Sequence, residues 1–176
     1  AQRSQRPASP GAVFLVTNTN DSGSGSLRQA ITDANALPGA DTINFDIAGS
    51  GVRTIAPLSG LPWISDAITI DGTSQAGFSG SPLIELNGIG ANSVGLFIAA
   101  NNCRIKGLVI NRFGEGIVIA DSSNIVIEGN FIGTDPTGTI ARPQGVDGIR
   151  IFGASQNNLI GGINAASRNI LSGNGG

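Results

Sequence analysis

Apolar positions along this chain change their spacing, and each change marks an element. Residues 13–16 read as a short strand, and residues 18–25 form a polar, glycine-rich loop. Leu27, Ala30, Ile31 and Ala34 then recur at helical spacing and make a single apolar stripe. Ser26 precedes Gln29 by three positions, the spacing of a capping box in which hydroxyl and amide satisfy the first free backbone N–H groups. Leu37-Pro38-Gly39 should stop the helix, because proline disfavours a helical conformation in the residue before it. A helix of about ten residues is marginal alone, so its stripe must be buried against another element. From residue 42 to 47 the pattern alternates, placing Ile43, Phe45 and Ile47 on one face of a strand.

Beyond this point the chain repeats itself. Gly95-Leu96-Phe97-Ile98 is echoed by Gly116-Ile117-Val118-Ile119 after 21 residues and by Gly148-Ile149-Arg150-Ile151 after 32 more. Asn102, Asn124 and Asn157 form a second register, each followed by an isoleucine (Ile105, Ile127, Ile160) and a glycine (Gly107, Gly129, Gly162). A third echo pairs Asn130-Phe131-Ile132 with Asn169-Ile170-Leu171. The unit is 21–22 residues, lengthened once by an insertion at 133–147. Three strand segments per unit, each ending at glycine or asparagine, exclude a hairpin array, whose two-strand period is shorter. Leucine-rich repeats share the period but need a leucine consensus that is missing here. The pattern predicts an all-β fold, a right-handed parallel β-helix of three sheets with an N-terminal helical cap. Successive coils would lie about 4.8 Å apart, isoleucines stacked inside and asparagines laddered at the corners.

Composition sharpens this picture. Of 176 residues, 12% are charged, 5% are aromatic and 27 are glycine, which fits a fold of many tight turns and little charged surface. The net charge of −2 and scattered Lys and Arg give no basic patch for nucleic acid. No apolar run approaches the ~20 residues of a membrane-spanning helix. A single cysteine, Cys103, excludes an internal disulfide, and a chain without histidine has no His-based triad or His-ligated zinc. The chain also lacks methionine and opens on a polar stretch, as a processed exported protein does.

The run Asp21-Ser-Gly-Ser-Gly-Ser-Leu-Arg-Gln-Ala-Ile31, followed by Pro38-Gly-Ala-Asp-Thr-Ile-Asn-Phe45, resembles the N-terminal cap of large secreted bacterial β-helix proteins. Many of those carry a Cys-Ser-Leu-Arg-Glu-Ala segment, where this chain has Gly25 and Gln29 in place of the Cys and Glu. Segments 68–73, 107–113 and 128–135 are similar to coils of the same proteins. The resemblance implies an exported or cell-surface repeat protein of adhesin-like or structural role. It carries no shared catalytic motif.

Arg104-Ile105-Lys106 matches one of four polygalacturonase motifs by letter, without the other three; it reads as a strand with Ile105 inward and the two cations outward. Glu115, Asp121, Glu128, Asp135 and Asp147 are read as turn and loop residues that do not recur at the coil period, hence as corner solvation rather than a calcium site. Asp21 in the loop before the helix could hold a cation, but tight packing against the cap explains the loop better. Cys103 falls at an inward position equivalent to Ile125, as a small core residue. Trp63 is expected to pack in the core or cap. The insertion, with Pro136, Arg142 and Pro143, is the expected contact surface.

The resulting expectation is an extended or disordered segment 1–12, a strand and capping helix over 13–47, and coils over 48–176 with an uncapped C-terminal end. No catalytic residue, metal ligand or cofactor is assigned. The expected role is a non-catalytic scaffold or adhesin-like module, with a truncated polysaccharide lyase or glycoside hydrolase as the alternative. The uncapped coil implies either a fragment of a longer repeat protein or a second copy stacked at the open end, and a carbohydrate or cell-surface ligand is the other expected partner.

Overall fold

Ser26 begins the helix that the apolar spacing predicts. In the structure, a computed structural model describing residues 11–91 and 93–175, helix α1 spans Leu27–Ala36. The Ser26 hydroxyl oxygen accepts from the Gln29 backbone N–H at 3.2 Å. The second half of the predicted capping box does not form. Ser26 already donates its own N–H to the Gly23 carbonyl at 3.1 Å, and the Gln29 amide turns to Asp33 at 2.7 Å. The stripe Leu27, Ala30, Ile31 and Ala34 is buried against strands β1 (Val13–Val16) and β2 (Asp41–Phe45). Residues 1–10 of the expected N-terminal segment lie outside the described residues, but the Ala12 N–H is held by the Asp41 carboxylate at 2.7 Å.

Twelve further strands follow: β3 (Arg53–Ile55), β4 (Ile68–Asp71), β5 (Ile84–Asn87), β6 (Val94–Ile98), β7 (Arg104–Lys106), β8 (Leu108–Asn111), β9 (Glu115–Ala120), β10 (Val126–Glu128), β11 (Phe131–Ile132), β12 (Ile149–Phe152), β13 (Leu159–Ile160) and β14 (Ile170–Leu171). Every pairing between them is parallel. They form sheet A in the order β1-β2-β4-β7-β10-β13, sheet B in the order β3-β5-β8-β11-β14, and sheet C in the order β6-β9-β12. From β6 onward the chain visits sheets C, A and B in rotation, three times over. The three remain separate sheets and do not close on one another.

The sequence echoes are the registers of these ladders. Leu96, Ile117 and Ile149 are aligned across sheet C; Ile105, Ile127 and Ile160 across sheet A; Ile132 and Leu171 across sheet B. Alternation sends these residues inward, where all but Ile160 and Leu171 of the last repeat join side chains of α1 in one apolar cluster. The glycine register slips in the last repeat. Gly107 and Gly129 hold φ of 68° and 64°, whereas the third positive value of this bend, 94°, falls on Gly161 and not on Gly162.

Asn102, Asn124 and Asn157 do turn the chain, with φ of 60°, 61° and 55°, a left-handed conformation that asparagine tolerates. Their amides make one rung, from Asn124 to Asn102 at 3.2 Å. Most bonding between repeats at the bends comes instead from neighbouring amides, each clamping two backbone groups of the repeat before. Asn130 accepts from Leu108 N–H and donates to the Ile105 carbonyl; Asn169 does the same for Asn130 and Ile127. Asn158 holds Ile125 and Ser122, and Gln144 holds Phe113 and Ile110. In each case the carbonyl and the N–H lie three residues apart across a bend, where strand pairing is interrupted. Buried backbone groups need a partner, and one amide supplies both.

Candidate functional site

Arg104, Ile105 and Lys106 lie as the alternation requires, with Ile105 fully buried and Arg104 exposed. Both cations are engaged along the sheet. Lys106 Nζ meets the Asp71 carboxylate at 2.8 Å, and Arg104 Nε donates to Glu128 at 2.7 Å. Asp71, Lys106 and Glu128 share one register of sheet A. This corrects the expectation that the carboxylates sit on turns and loops without the period of the repeat: Glu115 and Glu128 are strand residues facing cations one repeat away. A cavity of about 350 Å³ opens beside this row, lined in part by Thr73, Phe78, Lys106, Glu128 and Ser167.

The other acidic candidates are held within the fold. Asp121 accepts from the Ala154 N–H at 2.9 Å. Asp21 receives Arg28 at 2.7 Å and the Leu58 N–H at 3.0 Å, and the Arg28 hydrogen bond holds its carboxyl below the usual carboxylate range. Arg28 also donates to the carbonyls of Ser59 and Gly60, so the loop before α1 fastens the helix to the first bend. Cys103 is buried in the core cluster, and burial pushes its thiol up to about 11. Among the described residues no group of three or more His, Cys, Asp or Glu is placed to hold a metal ion. Among them, too, no helix is long and apolar enough to cross a membrane.

The insertion folds into a small hairpin bridged at Thr134 and Ala141. Asp135 organises its tip, accepting from the Thr137 hydroxyl at 2.7 Å and from the Thr139 and Ile140 N–H groups; these bonds lower its pKa. Asn111, fully buried in β8, ties the hairpin to sheet B by donating to the Thr134 carbonyl and to Glu85, which also accepts from Thr54. This polar cluster escaped the sequence reading because its members fall outside the echoes.

Arg53 escaped it for a different reason. It stands at an inward register position of sheet B, where Ile84 and Leu108 follow, and is only 7% exposed. Its guanidinium is caged by four carbonyls of the preceding loop, those of Ile47, Ala48, Gly49 and Gly51. Five N–H donors in a planar fork suit such a cage.

Trp63 overturns its expectation. It is 64% exposed rather than packed in the core. Ile64 bridges in parallel to Ile98 and is buried, so alternation turns Trp63 outward beside Phe97. The two rings stack with centroids 4.5 Å apart at 22°. The same outward row continues through Val118 to Arg150. Arg150 donates to Glu115 at 2.8 Å, which raises its pKa, and its guanidinium lies 5.0 Å from the centre of the Phe152 ring. Phe152, aligned with Ala120, is 40% exposed. The outer face of sheet C and the segment beside it therefore carry Trp63 and Phe152, the two aromatic residues exposed among the described residues, with an oriented ion pair at one end. Compared with known proteins, the sequence matches no protein-family model and no curated protein.

Proposed function

We propose that the three sheets form a right-handed parallel β-helix lidded by α1, and that this chain serves as a non-catalytic scaffold of an exported, surface-located repeat protein. The rotation of the chain through sheets C, A and B supports the helical reading, since parallel crossovers are almost always right-handed. One observation supports association through the last repeat. Among the described residues, β12, β13 and β14 each end their sheet with one unpaired edge, and Ile151, Ile160 and Leu171 beside those edges are 45%, 38% and 45% exposed. Their register equivalents Ile119, Ile127 and Ile132 are fully buried. Unpaired parallel edges with core residues on show invite further strands. The occupant we propose for this 176-residue chain is the same edge of a second copy.

Light scattering across a concentration series tests this. Association should grow with concentration, and Ile160→Glu, which charges the exposed edge while leaving buried residues intact, should abolish it. A chain that stays monomeric at high concentration, or an Ile160→Glu variant that associates equally, would overturn the proposal.

A further inference from the structure

We propose that the outer face of sheet C is a binding platform for a neutral, β-linked oligosaccharide, engaged by Trp63, Phe97 and Phe152 with Arg150 and Glu115 as hydroxyl partners. The face has the two things such a ligand needs: rigid apolar rings for the C–H faces of flat pyranosides, and charged groups already aimed for bidentate hydrogen bonds.

Rigidity comes from the stacking. Trp63 leans on Phe97 at 4.5 Å, so one face of the indole is fixed while the residue remains 64% exposed. An indole in that state exposes large apolar area to water at little further entropic cost on binding. Nothing in the core requires it, because Ile64 makes the inward contact at this point of the chain.

Shape argues for a linear ligand. The outward row runs across the strands from Trp63 and Phe97 through the buried Val118 to Arg150, with Phe152 in the next row, and adjacent strands stand about 4.8 Å apart. Ala99 and Ala120 occupy the neighbouring outward row, so the floor beside Phe97 is low and Phe152 stands up from it at the far end. Exposed rings at both ends of a low outward surface suit an extended chain that reaches across the strands.

Charge argues for a neutral one. Arg150 is balanced by Glu115 at 2.8 Å and stacked over Phe152 at 5.0 Å. A fixed carboxylate beside the guanidinium gives acceptor and donor together, which match sugar hydroxyls and oppose a uronate. Arg150 and Phe152 face outward but stand on the edge strand β12, so binding is measured on the Ile160→Glu chain as well, which separates this inference from the self-association proposal.

Trp63 is the sole tryptophan and the chain has no tyrosine, so intrinsic fluorescence reports this position alone. Titration of the intact chain with cellohexaose should give a saturable change in emission, insensitive to salt. Phe152→Ala, with Trp63 still reporting, should weaken binding roughly tenfold, and Phe152→Leu, which keeps apolar area but no ring, should weaken it too. Trp63→Ala, followed by calorimetry, should remove binding. Thermal melts establish that each variant is folded. No saturable change with cellohexaose, undiminished binding by the folded ring variants, or tighter, salt-sensitive binding of hexagalacturonate would each overturn the inference.

Discussion

The side chain of Asn130 accepts a hydrogen bond from the backbone N–H of Leu108 at 2.9 Å, reaching back one repeat while its amide donates to Ile105 at 3.0 Å. Both backbone groups belong to fully buried residues. Asn130→Ala strands a donor and an acceptor, at about 1–3 kcal/mol for each group left unsatisfied. Asn102→Gly, at a bend where the left-handed φ of 60° is the main demand, should be close to neutral. Urea denaturation of the two variants checks this; equal losses would show that the clamp has no special weight.

Arg53 should resist conservative replacement. Lysine keeps the charge but cannot fan donors across four carbonyls of one loop. Arg53→Lys is expected to destabilise by about 1–3 kcal/mol, and hydrogen exchange should show the loss concentrated at residues 47–53.

Cys103 gives a pH signature. Its thiol is raised from 9.0 to about 11 in the fold, so the folded state favours the protonated form. The stability this contributes is complete below the unfolded value and is lost as pH rises from 9 through about 11. Cys103→Ala should flatten the stability profile across that window. Thiol-specific reagents should label the native chain slowly at pH 8 and rapidly in urea.

Asp21 gives the opposite sign. Its pKa is lowered in the fold, chiefly by Arg28, so its contribution is present above the ordinary carboxylate value and is lost as pH falls through the folded one. Asp21→Asn should weaken the attachment of α1 at neutral pH, seen as faster exchange of the 27–36 amides. The difference from the parent should vanish in acid.

Much of the architecture could be read before any coordinate. Ser26 and Leu37-Pro38-Gly39 mark the ends of α1, the spacing of Leu27, Ala30, Ile31 and Ala34 marks its buried face, and the echoes at 95–98, 116–119 and 148–151 are strand registers because parallel stacking aligns like with like. Trp63 was misread because Leu61-Pro62-Trp63 is apolar throughout; only the partner of Ile64 decides which way the ring faces. Among the clamping amides, Asn130 and Asn169 stand in an echo of the sequence, but Asn158 lies beside Asn157, and sequence cannot tell which member of such a pair turns the backbone and which reaches back to the repeat before. Arg53 broke the apolar pattern at an inward position, and a lone cation carries no sign that carbonyls will surround it.

The parallel ladders also give the molecule a direction in time. Within each sheet every strand after the first pairs with one nearer the amino terminus, and α1 with β1 and β2 supplies the first surface. A ribosome delivers the segments in that same order. Later strands thus find an earlier one to settle on, while a bend such as that between Ile105 and Leu108 is completed only when Asn130 of the following repeat arrives.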